Sequence, residues 1–346
     1  MVRKNILFML ILGFTLGILL VGCGENSTDV DGGDGEGAEA GGGDEEVVEL
    51  SLGHVLTEDS KFHAAATAMA EEVEERSNGS MVVEIFPQGQ LGDESQLISS
   101  ARSGDTELVV SAITPITNVA EEFAIFDLPY LFDDFEHANQ IVPEIIPGYF
   151  DILEDYELVG LGYVGGQEFN AFATQPIHEV SDLNGLKIRV PPAPGWIASY
   201  EELGAQATPT EYSEVYIGLE QGTLDGGVTS PEQFIQDNFN EVADYYSLTR
   251  SHMQHIVMTA SQEAMDSLTD DQQEIIRESA EIATESAKDF YEEIYHESLE
   301  EAENTGTEII EPDLEGFREQ GEQVYDELIQ DVPNGQELFD EIQEAR

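Results

Sequence analysis

The stretch "GLKIRVPPAPGW" (Gly185–Trp196) sets two cations one residue apart in a chain almost bare of positive charge. Leu186, Ile188 and Val190 alternate with Lys187 and Arg189, the period of a strand with one apolar face. Pro191-Pro192 ends the strand, and "APGWIASYEELG" (193–204) reads as a helix stopped by Gly204. A strand feeding a helix is the unit of an α/β fold, and in an open sheet the C-terminal end of such a strand faces the ligand crevice. An arginine there is suited to gripping a carboxylate through two parallel hydrogen bonds. A structural ion pair with one of the many acids is the competing reading, and spacing alone leaves both open.

The same unit recurs on either side. Upstream, "VVELSLGHVL" alternates like a strand, and "TEDSKFHAAATAMAEEVEERSNG" is a helix capped by Asp59 or Ser60 and ended at Asn78-Gly79. "MVVEIF", "DESQLISSARSG" and "TELVVSAI" continue as strand, helix and strand, which predicts right-handed crossovers and a parallel sheet. Downstream, "SEVYIGLEQG" is a short helix with Ser213 as cap and Gly222 as stop, and "TLDGGVTS" is a strand. Past Ser261 a helical period holds for over thirty residues, long enough to brace two domains.

Length and composition fit this picture. At 346 residues the chain is long enough for two domains. Asp and Glu number 73 against 12 Lys and Arg, a formal charge of −61. Nucleic acid and anionic membrane surfaces are thereby excluded as partners. Such self-repulsion fades at high salt, so the balance fits a protein exposed to salt, with an alkaline medium as the second reading. "MVRKN" followed by 17 uncharged, mostly apolar residues and then Cys23 is a secretory signal over residues 1–22, and "LVGC" resembles a lipobox. Cys23 then becomes the lipid-bearing first mature residue, and an uncleaved membrane anchor is the alternative. Residues 23–46 are acidic and Gly-rich, a disordered tether rather than a calcium loop. With Cys23 as the one cysteine, no intrachain disulfide can form.

Catalytic signatures are absent from the sequence. It has no Gly-x-Ser-x-Gly elbow, no P-loop and no dinucleotide fingerprint after a strand. The histidines show no zinc spacing, and in "HMQH" the rings of His252 and His255 fall on opposite faces of a strand. No enzyme activity, cofactor or metal site is expected. Apart from Arg189, most cations after the signal, Lys61 and Arg76 among them, lie on helices near acids and read as surface pairs.

From about Val47 to Phe239 the sequence resembles the extracytoplasmic solute-binding proteins of TRAP transporters, the DctP-like family. The stretches "FPQGQLGDESQLISSARSGDTEL", "FDLPYLFDDFEHA", "DLNGLKIRVP", "LGAQATPTEYSEVYIGLEQGTLDG" and the following "TSP" carry the resemblance in order and spacing. It implies a two-domain, periplasmic-binding-protein-like (type II) α/β fold with a hinge, central mixed sheets flanked by helices, and a long C-terminal helix bracing both domains. The domains are expected at 47–166 plus 255–294 and at 167–254 plus 295–346. The resemblance places the carboxylate-pairing arginine at Arg189 and a polar ligand contact near Thr229. It brings His54 and the loop from Gln88 to Gln90 to the cleft. "FDLPYLF" lines one rim and Tyr212, Glu214 and Tyr216 the other. Trp196 either covers the ligand or fills helix core.

Many relatives carry a second basic residue about twenty positions before the strand arginine. Here "GGQEFNAFATQ" has none, and Gln167, Glu168, Phe169 or Asn170 occupies the place. That departure favours a monocarboxylate with apolar or hydroxyl groups over a dicarboxylate. The implied role is capture of a small organic acid by hinge closure, at the outer face of the cell membrane, and delivery to the small and large membrane subunits of an ion-gradient-driven transporter. A binding protein of an ATP-driven importer and a ligand sensor docking on a receptor share these features, and a homodimer stays open.

Overall fold

The computed structural model describes residues 47–344. The signal of residues 1–22, the tether of 23–46 with Cys23, and Arg346 lie outside the described residues. The first strands and helices follow the sequence pattern: β1 (Val48–Gly53), α1 (Lys61–Arg76), β2 (Met81–Phe86), α2 (Glu94–Arg102) and β3 (Leu108–Ala112). Ser60 caps α1 by accepting from His63 N–H. Asp93 and Gln96 form a reciprocal capping box on α2. β1 lies between β2 and β3 and is parallel to both.

A short helix α3 (Thr114–Thr117) and a longer α4 (Phe135–Leu153) lead to β4 (Leu158–Ala173). Next come β5 (Lys187–Val190), α5 (Pro194–Glu202), β6 (Gln206–Pro209), α6 (Val215–Glu220), β7 (Gly226–Thr229), α7 (Pro231–Gln236) and β8 (Tyr245–Ser261). Here β5 is parallel to its neighbours β6 and β7. The chain closes with α8 (Gln262–Ser267), α9 (Asp270–Thr305), β9 (Glu308–Ile310), α10 (Glu315–Gly321), α11 (Tyr325–Asp331) and α12 (Gly335–Glu344). A 3-10 turn at Tyr212–Glu214 leads into α6, which has no side-chain cap, so Ser213 does not take the capping role expected of it.

Among the described residues nine strands form one mixed sheet, ordered β2-β1-β3-β8-β4-β7-β5-β6 with β9 beside β8. Parallel pairing thus holds within each end, while the antiparallel β4 and β8 join the ends. Their pairing skips at three places. At the last, Phe169 faces His252 while Ala171 faces Ser247, so four residues of β8 bulge out. Arg250 takes φ 48° there, and its N–H donates to Asn170 Oδ1 at 2.8 Å.

Apolar faces collect on both ends of the sheet. Ile141, Val142, Ile146 and Tyr149 of α4 pack with Phe123, Phe126 and Leu128. Trp196 and Tyr200 of α5 pack with Phe169, Ile188 and Val190. The α9 helix has 36 residues, about 54 Å at 1.5 Å each. It starts at the Thr269–Gln272 capping box, ends at Gly306 with φ 107°, and packs against both α1 and α7.

Candidate functional site

β5 presents Lys187 to solvent but Arg189 to the interior, although the two share a strand face. The cover comes from the segments after β3 and β6. Arg189 is 4 % exposed, its Nε donates to Thr210 O at 2.8 Å, and its Cζ stands 5.6 Å from the Tyr212 ring. Among the described residues its Nη groups make no hydrogen bond and it forms no salt bridge. Burial lowers its pKa to about 10, against the pull of Tyr212, Glu94 and Glu211, so it stays charged at neutral pH.

A cavity of about 40 Å³ opens beside this guanidinium. Val55, Leu56, Phe62 and Ala112 line it from the β1–β3 end, and Phe169, Pro191 and Tyr212 from the β5 end. Polar lining comes from Gln167, Gln233, Gln254, Thr114, Glu94 and Glu211. Two hollows of about 250 and 190 Å³ share Val55 and Tyr212 with one another, and Gln88 lines both.

Two carboxyls face the single cation. Glu94 opens α2 and accepts from Ala112 N–H at the end of β3, at 2.8 Å. Burial raises its pKa to about 7, opposed by the Ala112 N–H and Arg189. Ser95 Oγ donates to Glu211 Oε1 at 3.1 Å, across from α2 to the segment after β6. Burial raises the Glu211 pKa as well, with Asp93 adding to the effect.

The residues predicted from sequence distribute unevenly. Arg189 and Phe169 line the cavity together. Thr229 stands behind it, fully buried, its hydroxyl donating to Gln233 Oε1 at 2.7 Å. His54 is buried below the lining, with Nε2 3.1 Å from His63 Nδ1. Burial and His63 lower its pKa to about 4. Gln90 is exposed and lines none of these spaces, while Gln88, at a left-handed φ of 55°, lines both hollows. Glu214 is exposed, and Tyr216 borders only the outer hollow, its OH donating to Glu241 Oε2 at 3.0 Å.

Trp196 lies in helix core, fully buried, stacked 3.9 Å from His252. Its Nε1 donates to Asp127 Oδ1 at 2.9 Å and to Thr114 Oγ1 at 3.2 Å. "FDLPYLF" is core rather than rim, since Phe126 to Phe132 are buried and line none of these spaces. Lys61, expected on the surface, is 2 % exposed. Its Nζ abuts Gly165, and its charge acts on Glu232 and His255.

Sequence reading missed Glu94, Gln233 and Gln254. An acid in the first turn of a helix is ordinary, which hides Glu94. Among the described residues no group of three or more His, Cys, Asp and Glu is placed to hold a metal ion.

Two parallel half-sheets joined by crossing strands, with a buried cation at a cavity between them, define a solute-binding protein of the type II kind. The chain belongs to the bacterial extracellular solute-binding protein family 7, DctP, whose model matches residues 52–331. This is the non-enzymatic, extracytoplasmic solute-binding component of TRAP transporters, which works with membrane permease subunits. A solute-binding protein of Roseobacter denitrificans is 29 % identical over 226 residues, 65 % of this chain and 69 % of its own length. The 2,3-diketo-L-gulonate-binding periplasmic protein of Escherichia coli is 26 % identical over 303 residues, 86 % of this chain and 92 % of its own. A Chromohalobacter salexigens TRAP solute-binding protein solved with bound D-glucuronate superposes with a TM-score of 0.83 at 26 % identity. It covers 86 % of this chain and 100 % of that one. A Sulfitobacter protein with bound β-D-galacturonate gives 0.82 at 25 %, covering 86 % and 99 %.

Proposed function

We propose that this protein captures a small hydroxylated organic acid with a single carboxylate, and that Arg189 holds that carboxylate. The observation that carries the reading is a guanidinium 4 % exposed, beside a cavity, with its Nη groups unpaired among the described residues. Burying an unpaired cation costs several kcal/mol, and an anion that arrives with closure offsets that cost. Ligand and closure are then coupled, because only the liganded form neutralises the buried charge. Glu94 and Glu211 favour hydroxyl groups at the ligand's other edge, since carboxyl oxygens accept from them. The relatives solved with galacturonate and glucuronate fit that chemistry.

The lobes of this reading are 47–166 plus 255–294 and 167–254 plus 295–346, hinged where β4 and β8 cross. Because Arg189 is buried beside the cavity, the lobes part to admit the acid and close over it. Cys23 would tether the protein by lipid to the outer membrane face, near the permease that receives the solute. Mass spectrometry of co-purified ligand, followed by calorimetry with carboxylates, tests the reading. Arg189→Ala is expected to lose at least 100-fold in affinity while keeping its circular dichroism spectrum. Unchanged affinity in that variant refutes the assignment.

A further inference from the structure

We infer that Gln167 is the second anchor for the ligand's carboxylate, an uncharged donor that makes the site select one-carboxylate acids over two-carboxylate acids of the same skeleton. The inference rests on the reading of Arg189 as the first anchor. Strand alternation along β4 sends Gln167 and Phe169 to the cavity. The alternate residues Glu168 and Asn170 go the other way: Glu168 Oε1 accepts from Tyr295 OH at 2.8 Å and from Asn170 Nδ2 at 3.1 Å. Of the four residues in the cation-free stretch, Gln167 is therefore the one that brings a polar group to the cavity.

Gln167 is 1 % exposed, and its Nε2 has no hydrogen-bond partner among the described residues. A buried amide N–H without an acceptor is destabilising, so this donor calls for an acceptor that the described residues do not supply. A carboxylate has lone pairs to spare after two are given to a guanidinium. The amide adds a hydrogen bond but no charge. With Arg189 as the one cation lining the cavity against Glu94 and Glu211, a second ligand carboxylate would be desolvated without a counter-charge.

The test is calorimetry with D-galacturonate, D-glucuronate and D-erythronate against galactarate, D-glucarate and meso-tartrate, their respective aldaric acids. Wild type is expected to bind at least one of the first three, and its aldarate at least about 100-fold more weakly. Gln167→Leu should lose roughly 10-fold or more for the bound acid. Gln167→Arg should raise the aldarate-to-uronate affinity ratio at least about tenfold, and Gln167→Glu, the isosteric control, should lose about 100-fold or more by repulsion. Variants that melt lower with affinity and ratio unchanged would show a merely structural role and overturn the inference, as would wild type binding aldarates as tightly as uronates. If Arg189→Ala abolishes binding while the three Gln167 variants behave as wild type, only the Gln167 inference falls. If Arg189→Ala binds normally, or wild type binds none of the six acids, the parent reading falls with it.

Discussion

Asp127 is a buried carboxyl whose two oxygens are treated differently. Oδ1 accepts from Thr114 Oγ1 at 2.8 Å and from Trp196 Nε1 at 2.9 Å, while Oδ2 has no hydrogen-bond partner among the described residues. Burial therefore dominates and raises its pKa from 3.8 to about 7, with the Thr114 and Trp196 hydrogen bonds opposing. Because the folded pKa lies above the unfolded one, the folded state binds the extra proton. Stability is fully present below about pH 4 and falls as pH rises to about 7, by roughly 4 kcal/mol in all. Asp127→Asn keeps the accepting oxygen and removes the charge. It is expected to match wild type near pH 4 in urea titrations and to exceed it by a few kcal/mol at pH 8, and a constant difference across that range would contradict the shift. At this scale the sequence showed Arg189 because a cation is conspicuous among 73 acids. It hid Asp127 and Glu94 because acids are common and only folding makes a few of them buried, and it offered Gln167 as one of four residues without choosing among them.

The α9 helix joins the two ends of the sheet through small side chains. Ala280, Ala283 and Ala287 sit in one apolar cluster with Ala65, Ala66 and Met69 of α1, all essentially unexposed. Small residues on both helices let the backbones approach closely, so added volume has nowhere to go. Ala283→Leu is expected to destabilise by about 1–3 kcal/mol in denaturant titration. An effect under about 0.5 kcal/mol would mean that this contact is loosely packed. The long helical period made α9 legible in the sequence, and period together with caps did so for α1. The 19-residue α4 was not, because Pro143 and Pro147 interrupt it and prolines read as breakers. The β4–β8 crossing was equally hidden, since neither its bulge nor the left-handed Arg250 carries a local glycine signal. Sequence read the half-sheets from their repeating units, while their union depends on contacts between residues 72 to 103 positions apart.

At the scale of the whole molecule, charge decides the conditions in which this fold is comfortable. The chain carries −61, and the described ion pairs of Arg76 and Arg102 with Glu72, Glu278 and Glu157 are partly exposed. Such pairs contribute little, so most carboxylates repel one another without local compensation. Folding brings those charges closer together, and the repulsion reaches about 10 Å at 0.1 M salt but about 3 Å at 1 M. The melting temperature is therefore expected to rise by roughly 5 °C or more between 0.05 and 1 M NaCl, about 3 kcal/mol for a chain of this size. Sucrose at equal osmolality, which strengthens burial without screening, should give a smaller rise. The same field repels an approaching organic anion, while Arg189 waits in a buried position that salt screens weakly. Ligand affinity measured by calorimetry should hold steady or tighten over that range. An affinity that falls steadily toward 1 M salt would show the buried contact to be as exposed to screening as a surface pair, and would remove the case for a protein adapted to salt.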